Sequence, residues 1–140
     1  MAFTTRTLRD TVVNAAGAGG TVTVKVDIED DTTANNAILD ASALSGHADG
    51  AKLDISRLWW ALTQGSADDD TGHIELQEVS SGTDIVQIRL AGTGHYDGSA
   101  GVIPGTAANT TVTSGDHEIT TFGTSGFVII EFKKDSAWTA

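Results

Sequence analysis

The side chains in this sequence with the widest chemical repertoire are four histidines, His47, His73, His95 and His117. Imidazole titrates near neutral pH and ligates metals, so a cluster of them would suggest proton transfer or a zinc site. These four are scattered, each beside a turn, and no His-x-x-x-His pair places two on one helix face. Cysteine is absent, which excludes thiolate ligands and disulfides alike. Ser125, in Gly123-Thr124-Ser125-Gly126, lacks the spacing of a nucleophile elbow, and no phosphate-cradling glycine loop with its lysine occurs. Carboxylates are stronger candidates. Asp27, Glu29, Asp30 and Asp31 gather at a strand end, and Asp68-Asp69-Asp70-Thr71-Gly72 reads as a turn. Oxygen-rich loops suit Ca²⁺, but neither cluster has the ligand spacing of a helix–loop–helix calcium site, so solvated acidic turns are expected. A carboxylate pair for glycoside hydrolysis would need an aromatic-lined cleft, and only Trp59 and Trp60 hint at one. Asn109-Thr110-Thr111 matches a glycosylation acceptor but has no secretion signal beside it. The expectation is a protein that is not an enzyme and needs neither metal nor cofactor.

The elements around these residues read as strands. Residues 21–30 alternate cleanly, with Val22, Val24, Val26 and Ile28 on one face and Thr23, Lys25, Asp27 and Glu29 on the other. Residues 37–44 suggest a short strand, followed by a turn at 45–50. Residues 73–79 and 84–90 are predicted to pair as a hairpin around Ser80-Ser81-Gly82-Thr83, with Val86, Ile88 and Leu90 facing one way. Residues 117–122 and 127–133 complete the set. In the last, Val128, Ile130 and Phe132 face the core, leaving Phe127 and Ile129 as extra apolar surface.

The apolar block at 53–62 is ambiguous. Ile55, Leu58, Trp59 and Leu62 have helical spacing with Asp54 as a cap. As a strand, Leu53, Ile55, Trp59 and Ala61 share a face that Arg57 interrupts, while Leu58, Trp60 and Leu62 make the other face apolar too. Strand is preferred because the surroundings are β-like and aromatic residues suit strands. The predicted core is Val22, Val24, Val26, Ile74, Leu76, Val86, Ile88, Leu90, Val128, Ile130 and Phe132.

Seven or eight short strands at this spacing predict an all-β fold, an antiparallel β-sandwich or jelly roll. It would occupy residues 14–140 behind an extended N-terminal arm at 1–13. Residues 14–20 read as a flexible linker, and 98–115, rich in Gly, Ala, Thr and Ser around Pro104, as a long loop. Loops of that length usually have a function or a partner.

Charge narrows the function classes. The chain has 19 acidic and 8 basic residues, net −11. Residues 1–9 carry Arg6 and Arg9 with no acid, +2, so residues 10–140 carry −13. An acidic body repels phosphate, which makes nucleic acid an unfavourable partner and solubility the simplest use of the charge. The start of the chain lacks the pattern of a signal peptide, and no apolar run approaches the roughly 18 residues of a membrane span. No membrane partner is expected.

Several segments carry a resemblance. They are Thr4-Thr5-Arg6-Thr7, Ile55-Ser56-Arg57-Leu58-Trp59-Trp60, Leu90-Ala91-Gly92-Thr93-Gly94-His95-Tyr96-Asp97, Gly115-Asp116-His117-Glu118-Ile119-Thr120-Thr121 and Phe127-Val128-Ile129-Ile130-Glu131-Phe132-Lys133-Lys134. In this order the chain resembles small virion structural proteins of tailed bacteriophages, although residues 14–50 contribute little. The resemblance implies a particle component, most like a capsid decoration (cement) protein, with no catalytic residues to carry over. The implied place is the outer capsid surface, after synthesis in the host cytoplasm, with the major capsid protein as partner. A tail, neck or fibre-base component and a carbohydrate-binding host adhesin are the alternatives. The expected contact residues are Thr5, Arg6, Thr7, Leu8 and Arg9 on the arm, with Trp60, Phe127 and Ile129 on the body. Apolar residues on both faces of the 58–62 stretch suggest self-association, with a trimer as the expected homo-oligomer.

Overall fold

The computed structural model describes residues 2–13, 19–48, 50–65, 71–79, 84–105, 115–135 and 137–139. The linker at 14–18, the acidic turn at 68–70, the hairpin turn at 80–83 and the loop at 106–114, with its glycosylation pattern, lie outside them. The described residues form nine strands: β1 (Ala2–Asp10), β2 (Thr21–Asp31), β3 (Asn36–Leu39), β4 (Leu53–Gln64), β5 (His73–Glu78), β6 (Ile85–Leu90), β7 (Thr93–Tyr96), β8 (His117–Phe122) and β9 (Thr124–Lys134). They form two antiparallel sheets, ordered β1-β2-β9-β4-β7 and β3-β8-β5-β6. The structure is an all-β sandwich, 62% strand with no α-helix among the described residues. From β2 onward, the chain crosses between the sheets in the strand order of a double-sheet jelly roll.

The core lies between the sheets and follows the period of two. Val22, Val24, Val26, Val128, Ile130 and Phe132 are fully buried on the five-stranded side, facing Ile74, Leu76 and Ile119 on the other. Burying side chains of this size stabilises by roughly 1.5–3 kcal/mol each.

Three expectations need correction. The block at 53–62 is strand β4, but its face assignment changes partway. Register with β9 slips between Ile55 and Arg57, a bulge at Ser56. An extra residue in one strand inverts the alternation beyond it. Leu53 and Ile55 therefore point inward before the bulge, and Leu58 and Leu62 after it, while Arg57 and Trp59 are exposed. A second slip, between Leu76 and Gln77 on their pairing with β6, removes Val86 from the core. Val86 pairs with Gln77 and is half-buried, and Ile88 only packs against the core's margin. The strand expected at 37–44 ends at Leu39. Asp40 then caps a 3-10 turn over Ala41–Ala43 by accepting from the Ser42 amide at 3.1 Å.

The N-terminal stretch expected as an arm is extended, and it lies along β2 as the edge strand β1. Its last residue is tied to the other end of the chain. The Lys134 ammonium is wholly buried, 2.6 Å from Asp10 Oδ1, and donates to the Ser45 carbonyl at 2.8 Å. The second Asp10 oxygen accepts the Ser45 amide at 2.9 Å, and the Trp138 ring lies 4.9 Å from the ammonium. Trp138 is itself buried and donates its indole N–H to Lys52 O at 2.7 Å. The start of the predicted long loop also packs on the body. Ile103 exchanges two backbone hydrogen bonds with Ile55, and the Gly105 amide donates to Asp54 at 2.8 Å.

Candidate interaction surface

The outer face of the five-stranded sheet collects four of the eight expected contact residues, Arg6, Arg9, Phe127 and Ile129, together with Trp59. Cross-strand neighbours point to the same side of a sheet, so the register gives the rows directly. One row reads Arg6, Lys25, Ile129, Trp59, His95 from β1 to β7. The next reads Thr4, Asp27, Phe127, Ala61, Thr93. A third carries Arg9, Thr23, Glu131 and Arg57. Trp59 is 36% exposed, and Ile129, Phe127 and Ala61 are half-buried beside it. The result is an apolar centre with a charged margin, on a face that no element among the described residues covers.

The expected contact residues divide. Arg6 and Arg9 sit on this outer face, and Phe127 and Ile129 form its centre. Thr5 and Thr7 pair with Val26 and Val24 and so turn to the sheet's inner side, yet both are exposed. Leu8 occupies the bulge between Thr7 and Arg9 and is 51% exposed. Trp60 is the misassigned member. Because of the Ser56 bulge it turns toward the core, where its indole N–H donates to Ala91 O at 3.0 Å. Gly94 opposite it has no side chain for a reason: a Cβ there would stand 2.6 Å from the Trp60 ring. Trp59 takes the outward place that alternation alone assigned to Trp60.

Charge is segregated onto the same face. Arg6, Arg9, Lys25, Arg57 and Lys133, five of the chain's 8 basic residues, occupy its outward positions. Four carboxylates, Asp27, Glu29, Asp54 and Glu131, share them, so the face is +1 while the rest of the −11 chain carries −12. Lys25 pairs with Asp27 at 3.5 Å, and Arg57 with Glu131 at 3.8 Å. The Ser56 hydroxyl lies 2.9 Å from the Glu131 carboxylate. Arg6, Arg9 and Lys133 have no carboxylate within 4.0 Å among the described residues. A shallow hollow of about 360 Å³ runs between Thr4, Arg6, Leu8, Lys25 and Asp27.

The histidines stay apart, as their spacing suggested. His47 meets the Trp138 ring edge-on at 5.3 Å, His73 stacks on Phe122 at 4.2 Å, and His95 is exposed beside Trp59. His117 is fully buried against Phe132, with Nδ1 2.7 Å from Gly115 O and Nε2 2.8 Å from the Gln87 side-chain oxygen. Burial pulls its pKa down from 6.5 to about 4, and the Gly115 hydrogen bond opposes that only partly. Of the first acidic cluster, Asp31 is buried and accepts from Thr33, Asn36 and Thr121. It closes a turn with those bonds. Among the described residues no three His, Asp or Glu side chains are grouped to hold a metal ion.

One carboxyl was missed from sequence. Glu118, on the outer side of β8, is pushed up to about 7, first by burial and then by a hydrogen bond and like charge from Asp84, with Asp116 adding to it. Its Oε1 is buried with no hydrogen-bond partner among the described residues. Because the folded state holds this proton more tightly than the unfolded chain, its contribution is full below pH 4.5 and lost as pH rises through about 7. Glu118→Gln is therefore expected to stabilise the protein by about 1–2 kcal/mol at pH 8, after discounting for solvent screening. At pH 4 it should change little. Urea unfolding at the two pH values measures the difference, and an equal effect at both would refute the assignment.

Comparisons of the chain with protein-family models, with curated proteins and with solved structures return no match.

Proposed function

We propose that this chain is a non-enzymatic structural binding module: a tailed-phage virion protein that sits on the outside of a capsid and bridges major capsid protein subunits. The fold hosts many functions, so the reading rests on surface chemistry. The observation that carries it is the β1 edge. Nine residues long, this strand is paired on one side with β2 and has no strand on its other side among the described residues. It bears Arg6 and Arg9 ahead of a single acid, Asp10, which is already engaged by Lys134. An open edge of that kind adds a partner's extended segment through backbone hydrogen bonds, with acidic groups meeting the arginines. The −12 borne away from the outer face suits a position on the capsid exterior, since packaged DNA would repel it.

The test is binding of the purified protein to undecorated capsids. Saturable binding that raises the capsids' resistance to heat is expected. Arg6→Glu with Arg9→Glu should weaken it, most visibly at low salt. Charge reversal is preferable to deleting β1, which would strand buried Lys134. Absence of binding would sink the capsid reading, and binding indifferent to both reversals would move the contact off β1. The exposure of Trp59 beside Arg57 and His95 favours a second reading, a carbohydrate-binding adhesin with the indole as a stacking platform. Saccharide titrations that quench tryptophan emission in the native protein and not in Trp59→Ala would support that reading instead.

A further inference from the structure

We propose that the outer face of the five-stranded sheet is covered by the same face of a second copy of this chain, related by a two-fold axis lying along the central strand β9. The idea stands apart from the capsid reading and is measured on the purified protein alone.

The face fits a copy of itself better than it fits other partners. Two molecules of net −11 repel each other wherever acidic surfaces meet. The outer face, +1 over its strand positions and neutral once the adjoining Asp97 is counted, is where they can approach without that opposition, and it is also where Trp59, Ile129 and Phe127 gather. A nucleic acid or other polyanion is disfavoured, because Asp27, Glu29, Asp54 and Glu131 interrupt the cations. Symmetry then sets the contacts. β9 is third of five strands, so an axis along it lays β2 over the second copy's β4 and β1 over the second copy's β7. Ile129 meets Ile129 and Phe127 meets Phe127 at the axis. Lys25 falls over the indole face of the other copy's Trp59, a cation–π pairing. Arg9, with no carboxylate within 4.0 Å among the described residues, falls toward the other copy's Asp97, which directly follows β7. Asp97 is held in its charged form by hydrogen bonds from Ser99. The two Glu131 carboxylates near the axis each bring their own Arg57. Sheets packed face to face cross at about −30°, so the axis runs about 15° from each β9; the Ile129, Phe127 and Lys25–Trp59 pairs beside it stay in contact, and the long Arg9 side chain spans the offset at the edge.

Five strands about 4.8 Å apart and about 20 Å of their length give roughly 500 Å² per copy. A total near 1,000 Å² is at the lower limit for a specific interface, so a weak, concentration-dependent dimer is expected. A two-fold pair of flat faces also closes on itself, in place of the trimer that the sequence suggested.

Sedimentation of the native protein from about 1 to 500 µM covers the range of a weak dimer. A monomer–dimer equilibrium is expected, with tryptophan emission moving to shorter wavelength as Trp59 is covered. Trp59→Ser and Ile129→Ser should each weaken it at least tenfold, with circular dichroism confirming that both variants stay folded. Arg9→Glu should weaken it, and adding Asp97→Arg to that variant should restore it. A monomer throughout, a trimer, or a dimer indifferent to Trp59→Ser and to the Arg9–Asp97 exchange would each overturn the proposal.

Discussion

Replacing Asp10 with alanine is expected to cost about 3–5 kcal/mol of folding stability. The reason is Lys134. Its ammonium has no solvent exposure, and Asp10 supplies the negative charge beside it at 2.6 Å. The remaining contacts, the Ser45 carbonyl and the Trp138 ring, cannot neutralise a buried cation. The variant must deprotonate the lysine, open the site to water, or unfold. Asp10→Asn keeps an acceptor and should cost less. Removing both charges, Asp10→Ala with Lys134→Met, should recover most of the loss, since an apolar side chain fits the site without a desolvation penalty. Burial works against the Asp10 carboxylate, but the hydrogen bond and charge of Lys134 and the Ser45 amide outweigh it and lower its pKa. A depressed carboxylate stabilises above its unfolded value of 3.8, and that contribution disappears as pH falls through the lower folded value. Urea unfolding of the three variants at pH 7 and pH 3 tests all of this. A loss below about 1 kcal/mol for Asp10→Ala, in the range of an exposed pair, would mean that the ammonium is not buried.

That ion pair also shows what the sequence made legible and what it did not. The alternation that correctly placed Val128, Ile130 and Phe132 inside continues to Lys134, so the lysine's inward direction was readable. Its partner was not, because Asp10 lies at the far end of the chain and meets it only after β1 has joined the sheet. Strand type and core membership were legible where the period of two ran unbroken, as in β2, β5 and β9; in β8 the strand was read but its buried Ile119 was not. They failed where a bulge shifted the parity. Nothing in Ser56 or Gln87 announces an extra residue, yet those two positions exchanged Trp59 for Trp60 on the outer face and moved Val86 out of the core. The candidate surface was half legible for the same reason. Phe127 and Ile129 were identified from surplus apolar residues in one strand. The concentration of cations around them depends on the order of five strands from both ends of the chain, which local patterns do not encode.

The second large effect is a loss of stability on acidification that belongs to His117. This ring is wholly enclosed between β8, Phe132 and the Gln87 amide, and its pKa falls to about 4 because burial disfavours the imidazolium. In the unfolded chain the same ring titrates near 6.5. The unfolded state therefore binds the proton first, and stability falls with pH from about 6.5 until the folded ring also protonates near 4. A difference of that size is worth about 3 kcal/mol across the window. Glu118, one residue along on the opposite face of the strand, acts in the reverse sense, since its stabilising protonation is gained as pH falls from about 7 to 4.5. The native protein should accordingly show a shallow pH profile in which two opposed titrations partly cancel. Glu118→Gln removes the opposing member and should expose the steep decline. Adding His117→Gln to that variant lowers stability at pH 7, because a buried hydrogen-bonded ring is lost, but should flatten the decline between pH 7 and 4. NMR of the imidazole gives the independent reading: its resonances should stay fixed through pH 6.5 and move only near 4. An imidazole that titrates at 6.5 in the folded protein would show that the ring is solvated, and the predicted decline would then have no source.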